Sequence, residues 1–474
     1  MTTAQTFDDE LARLDATATA EAVQRRELSP AEVVAAAIER ARRIDPVLRA
    51  VACEDYERAT ATASRAPHTG TFAAVPTFIK DMTDVAGLPT RNGSGAFAGA
   101  APATKTFSIA QQMFDMGMVC LGKSSLPEFG FTPSTEFPDS DPTRNPWNTD
   151  RSAGGSSGGA AVLVASGVVP IAHGQDGGGS IRIPAACSGL VGLKPSRGRL
   201  VSDPHDRLLP VQIVTDGVLT RTVRDTARYY LEAEWRHRAK HLAPMGDLSR
   251  PIDRRLRIGA LIESPVAGEV DAPTRQTFED TIALLEGLGH TVEPMAPPVD
   301  AAFAEDFIHY WAMLAFFTHY AGKVLFDKSF DKAGLTMLTE GLSARFRSDL
   351  RRTPGAIARL RRSNATVQAK LDGYDVVLSP TLAHLPPDIG HLGTHLPFDE
   401  LFPRVEQWVG FTPLANATGM PAISLPLGHD AETNLPVGMM FGAPLGHDGL
   451  LVRLALELEA ARPFPTLADA AASA

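Results

Sequence analysis

Cysteine is scarce in this chain: three residues in 474, at Cys53, Cys120 and Cys187. An odd number, widely spaced and set among apolar neighbours, argues against a disulfide frame or a zinc site. A positive surplus is missing as well. Lys and Arg number 45 against 55 Asp and Glu, a net charge of −10, whereas a nucleic-acid surface calls for the opposite sign. No apolar run reaches the ~18 residues of a membrane span, because Gly, Pro or charge interrupts each candidate. The first residues, MTTAQTFDDELARLD, have neither the basic nor the apolar region of a secretory signal. These absences point to a cytoplasmic protein without nucleic-acid or membrane partners.

What is present describes an ordinary globular protein with a large core, 44% hydrophobic and 21% charged. The first 65 residues read as helical. Ser29-Pro30-Ala31-Glu32 supplies an N-cap, a first-turn proline and a capping-box glutamate before an apolar run. Short apolar runs at 75–79, 118–121, 168–172 and 190–193 then alternate with helical patterns, one of them around 107–116. Further strands are expected at 256–262 and 374–380, a helix over 273–287, and an aromatic-rich helical stretch from Phe303 to Phe330. Residues 236–256 are polar and basic and read as a surface connection. The alternation predicts an α/β fold, with a sheet that is parallel at least in part and covered by helices.

Glycine and serine accumulate twice, as GGSSGG at 154–159 and as DGGGSIRIP at 176–184. Runs of glycine lose much backbone entropy on folding, and close approach of the backbone to a bound group is their usual use. Gly177, Gly178 and Gly179 lead into Ser180, so backbone N–H groups can converge beside one hydroxyl. That is how a nucleophile lies against its own oxyanion hole. A serine needs a base, and none of the thirteen histidines is marked for the task. A lysine serves if burial makes it neutral, and Lys80 ends an apolar strand-like run. A lysine with only its stem buried at a strand end is the plainer reading of that residue. Ser156 or Ser157 could carry a proton between them, although a glycine–serine loop also simply caps a helix.

Taken together, these stretches resemble the amidase signature hydrolases. The resemblance runs over VPTFIKD at 75–81, LGKSSLPEF at 121–129, NPWN at 145–148 and both glycine–serine runs. It continues through GLVGLKP at 189–195 and NATGMPAISLP at 416–426, and it spans residues 25–460. Gly177 departs from the family's more common Thr or Ile, and Ala153 from a frequent proline. The resemblance implies a Ser–cis-Ser–Lys triad, with Ser180 the nucleophile, Ser156 the bridging serine behind a cis Gly155–Ser156 peptide, and Lys80 the base. It leaves Ser157 as a hydrogen-bonding neighbour. Asp176 and Arg182 are expected to brace the loop by charge-assisted hydrogen bonds. The resemblance further implies one α/β/α domain over 1–474, with a large mixed twisted sheet covered by helices on both faces. In it, residues 66–200 form the signature core and 300–370 a helical segment beside the substrate pocket. Phe129, Phe316 and Phe317 are candidates for its lining, though the aromatics of 303–320 also suit plain helix packing.

Other motifs read as chance. Gly117–Ser124 fits the phosphate-loop expression, but its inner residues form a strand and Pro127 follows closely. GGSSG fits a nucleophile elbow, yet the polar loop DRSA precedes it where that elbow needs a strand. Ser329 and Lys332 lie in a charged patch, and His173 is expected to pack or hydrogen-bond beside the site rather than act as a base. The implied activity is hydrolysis of small uncharged or hydrophobic amides (linear, cyclic, anilide or carbamate) by a monomer or homodimer, without metal or cofactor. Within the family the chain is similar to bacterial amidases acting on nylon-type cyclic amide oligomers. A glutaminase subunit of a tRNA-dependent amidotransferase is the alternative, weakened because Ile183 stands where that subunit carries Gln. An esterase of α/β-hydrolase type is a further alternative.

Overall fold

The computed structural model describes residues 9–65, 68–202 and 209–472. Near its start, the helix Pro30–Leu48 opens with the expected box. Ser29 Oγ accepts from the Glu32 N–H at 3.2 Å, and the Glu32 carboxylate accepts from the Ser29 N–H at 2.8 Å. The N-terminal region is not helical throughout, because strand β1 (Val51–Glu54) interrupts it.

The other strands are β2 (Pro76–Lys80), β3 (Val119–Ser124), β4 (Ile171–Asp176), β5 (Val191–Lys194) and β6 (Thr215–Thr220). Then follow β7 (Arg257–Ala260), β8 (Thr291–Pro294), β9 (Val376–Pro380), β10 (Ala422–Asp430) and β11 (Leu435–Gly442). Eight of them form the large central sheet in the order β4-β6-β5-β10-β11-β9-β7-β8. It is mixed: β7 pairs in parallel with β8 and β9, and the remaining pairs are antiparallel. Helices pack on it, and its inward side chains form one continuous apolar core that includes Val218, Leu193, Ile423 and Met439.

β1, β3 and β2 make a separate three-stranded sheet. The expected large mixed sheet is thus accompanied by a small one, and their separation has a local cause. Where β2 meets β4, side chains take the positions of a backbone ladder. Thr77 Oγ1 donates to the Ile171 carbonyl at 3.0 Å, and the Lys80 N–H donates to His173 Nδ1 at 3.3 Å. The ends of β2 and β4 thus sit side by side, bringing Lys80 to the glycine loop after Asp176.

Residues 237–256 carry no helix or strand, and Met245 and Leu248 anchor the segment in the core. The helix Ala272–Gly287 and the aromatic helix Ala301–Leu325 fall where the pattern places them. The phosphate-loop match is threaded through β3, with Lys123 Nζ bound to Asp81 at 3.1 Å. Among the described residues, no helix is long and apolar enough to cross a membrane.

Candidate active site

Lys80, Ser156 and Ser180 all border one cavity of about 730 Å³, and each is almost wholly buried. Lys80 Nζ donates to Ser156 Oγ at 2.7 Å and to the Gln175 carbonyl at 3.3 Å. Among the described residues, no carboxylate shares those contacts. Burial therefore pulls the Lys80 amine down to about 7, although the charges of Asp176 and Asp216 act the other way. An amine so placed is neutral for much of the time near neutral pH.

The Gly155–Ser156 peptide is cis. The turn around it is held by its neighbours. Thr135 Oγ1 donates to the Gly154 carbonyl at 2.8 Å, and Ser152 Oγ accepts from the Gly154 N–H at 3.1 Å. The helix Gly158–Ala165 begins directly after Ser157. Ser157 joins the two glycine–serine runs: its N–H donates to the Ser180 carbonyl at 3.2 Å, and its hydroxyl lies 3.3 Å from the Gln175 N–H.

The loop from Asp176 to Ser180 is braced from beneath. Arg182 grips both Asp176 oxygens, at 2.9 and 3.0 Å, and reaches the Thr412 carbonyl and Asn416 Oδ1. Asn416 Nδ2 donates to the Asp176 carbonyl and carboxylate, and Thr412 Oγ1 donates to the Gly178 carbonyl at 2.6 Å. Burial pushes the Asp176 carboxyl up, but Arg182 and Asn416 outweigh it and hold the group well below the usual carboxylate range. Gly179 has φ +135°, and a Cβ there would fall 2.3 Å from Thr412 Oγ1, so only glycine fits.

The expected oxyanion donors need one correction. The Gly179 N–H is already committed to Asp176 Oδ1 at 2.8 Å, because the turn folds it back onto that carboxylate. Among the described residues, the N–H groups of Gly177, Gly178 and Ser180 have no such partner. Gly177 and Gly178 also border the cavities beside Ser180.

Of the three pocket aromatics, Phe129 and Phe317 border the large cavity. Phe316 borders neither cavity at Ser180. It packs on Tyr320, one turn along its own helix, and on Phe346 of the neighbouring helix Met337–Ser348, with ring centres 4.7 and 5.1 Å away. Its role is helix packing. Two residues not singled out from the sequence are Gly130 and Asp216. Gly130 lies under Ser156 Oγ, and Asp216 meets His173 Nε2 at 3.0 Å. Asp216 carries no sequence signal, since it sits between Thr215 and Gly217 and its partner lies 43 positions away. His173 accepts at Nδ1 and so carries its hydrogen at Nε2, which leaves neither nitrogen for a substrate.

The α/β fold thus sets a buried amine against one of two serines, above a braced glycine loop. The comparisons give the family. The profile described as Amidase matches residues 32–452, and the chain belongs to the amidase family, hydrolases of amide C–N bonds. The provisionally named amidase AmiC of Mycobacterium tuberculosis is 47% identical over 459 residues, covering 96% of each chain. The 6-aminohexanoate-cyclic-dimer hydrolase of Paenarthrobacter ureafaciens is 31% identical over 481 residues, with 95% of each covered. A solved 6-aminohexanoate cyclic dimer hydrolase superposes with a TM-score of 0.88 at 29% identity, covering 97% of this chain and 99% of that one. A bacterial aryl acylamidase of the amidase signature family gives 0.85 at 27%, covering 96% and 98%.

Proposed function

We propose that the protein hydrolyses small uncharged or hydrophobic amides through an acyl-enzyme on Ser180, with Ser156 relaying protons to and from Lys80. The observation that carries this reading is the 2.7 Å contact between a buried, partner-poor amine and the Ser156 hydroxyl. Ser180 faces the same cavity.

In the first half, neutral Lys80 takes the Ser156 proton while Ser156 takes that of Ser180. Ser180 Oγ bonds to the carbonyl carbon, and the carbonyl electron pair moves onto oxygen. The N–H groups of Gly177, Gly178 and Ser180 receive that oxyanion, each donor contributing ~3 kcal/mol. The C–N bond then breaks, and the proton held at Lys80 returns through Ser156 to the departing nitrogen. Water repeats the sequence on the ester, releasing the carboxylic acid and restoring the Ser180 hydroxyl. Asp176, Arg182 and Ser157 hold the loop and touch no reacting atom.

The same proposal treats residues 1–474 as one catalytic unit working in the cytoplasm. Three cysteines free of disulfides suit a reducing compartment. The glutaminase reading is not favoured, for Ile183 lines an apolar cavity beside Ser180. An esterase of α/β-hydrolase type is not favoured either, since no strand precedes the 154–159 turn.

The test is turnover of a panel of anilides, lactams and carbamates, with acid-quenched enzyme weighed for an acyl adduct. Amine release with an adduct on the 176–184 peptide is expected. Amide turnover surviving in Ser180→Ala would overturn the reading.

A further inference from the structure

Ser180 lies where two cavities meet. One is the 730 Å³ cavity already described; the other, about 190 Å³, lies on the far side of Phe131 and Trp311. Among the described residues, only Gly130, Phe131, Ser180 and Trp311 border both. The two rings stand edge to face with centres 5.6 Å apart, and Trp311 also stacks on Phe307. A Cβ on Gly177 or Gly178 would touch Trp311 at 3.6 or 3.7 Å, so the indole rests directly on the loop before Ser180. A two-ring wall with the reactive hydroxyl at its edge separates the chambers.

Chemistry then decides which half of an amide enters which chamber. The departing nitrogen must collect a proton from the Ser156–Lys80 pair, and both residues border only the large cavity. The amine half must therefore lie there. Ser180 keeps the acyl half, which is left with the small cavity. That cavity is lined by Ile183, Phe307, Leu342, Phe402 and Val409 among other apolar groups, and its described lining has no Lys, Arg or His. Its charged members are Glu263 and Glu406, which repel a carboxylate. An apolar cavity of ~150 Å³ holds a benzene ring, so this one suits an acyl group slightly larger.

Building on the acyl-enzyme reading above, we infer that Trp311 is a specificity-determining wall. It confines the acyl half of the substrate to an uncharged, apolar group of about aryl size and leaves the amine half room to be large. Acids bearing a second carboxylate are excluded from the acyl side. Trp311 acts by shape and moves no proton.

The experiment measures kcat/KM for two matched series. One holds the amine as aniline and lengthens the acyl group from acetyl to dodecanoyl, with succinic acid monoanilide as the charged control. The other holds a hexanoyl group and enlarges the amine from methylamine to a naphthylamine. In the unaltered enzyme, kcat/KM is expected to climb to a six- to eight-atom acyl group and fall beyond it, at least ~10-fold by dodecanoyl. The amine series should show no such ceiling, and the succinyl substrate should react at least ~10-fold more slowly than the butanoyl one.

Trp311→Ala joins the chambers, so its dodecanoyl-to-butanoyl ratio should rise at least ~10-fold, with Trp311→Phe in between. A size ceiling on the amine side instead, or a Trp311→Ala ratio equal to that of the parent in a folded variant, overturns the inference. If Trp311→Ala does not fold, the two parent series decide alone. Absence of any amide turnover or acyl-Ser180 adduct would instead strike the acyl-enzyme reading, so the two failures are distinguishable.

Discussion

The backbone N–H of Lys80 donates to Nδ1 of His173 at 3.3 Å, and the far nitrogen of that ring meets Asp216 at 3.0 Å. Strand β6 thereby reaches the base through one imidazole. Burial lowers the Lys80 amine to about 7, and the negative charges of Asp176 and Asp216 work against that fall. The proposed relay needs the neutral amine, so kcat should rise with pH along a limb centred near 7. Asn in place of Asp216 still accepts from the ring but removes one of the two opposing charges. The limb in Asp216→Asn should move to lower pH. A limb that stays put or moves upward in a pH–rate profile contradicts this assignment of charge.

Lys80 and Ser156 act as one unit in this scheme. Lys80→Ala and Ser156→Ala should each lower kcat by ~10²–10⁴-fold, and the double variant should fall little further. Steady-state kinetics on one anilide across the four proteins tests this. Losses that multiply would mean that the two groups work independently.

Gly130 has φ +67°, and a Cβ on it would come within 2.8 Å of Ser156 Oγ. Gly130→Ala should therefore push the relay hydroxyl aside and lower kcat by up to ~10²-fold, the cost of a displacement near 1 Å. KM should change far less. An unchanged kcat would show that Ser156 tolerates the shift and that its position is not critical.

Arg182 neutralises a carboxylate that has no access to water. Arg182→Ala strands Asp176 and should cost ~3–5 kcal/mol in urea unfolding. The sign with pH follows from the direction of the shift. The folded carboxyl is more acidic than the unfolded one, so its stabilisation is present above pH ~4 and disappears as pH falls below that. The gap between parent and variant should narrow on acidification. A constant gap would mean that packing, and not charge, is what Arg182 supplies.

Much of the site was legible because its signals are local. Two short glycine–serine runs and a lysine ending an apolar strand point to Lys80, Ser180 and either Ser156 or Ser157. The family resemblance chose Ser156, and the fold gathers Lys80, Ser156 and Ser180 on one cavity. The capping box at Ser29 and the helix after Asp271 are likewise matters of adjacent residues. What escaped depends on contacts distant in sequence. The Gly179 N–H looked available among three glycines until the turn folded it onto Asp176. Phe316 and Phe317 are neighbours in one aromatic stretch, yet helical rotation sends one to Phe346 and the other to the cavity. Strand β8 has four residues, two of them polar and none buried, so only its pairing with β7 marks it as a strand.

The central claim is that Ser180 is the group acylated and that Lys80 makes it reactive. Treating the protein and its Lys80→Ala variant with a fluorophosphonate, then mapping the modified peptide, tests both halves at once. The expected result is a single adduct on Ser180 that is lost, or slowed by ~10²-fold or more, without the lysine. An adduct on any other residue, or equal labelling of Ser180 in the variant, would contradict the account.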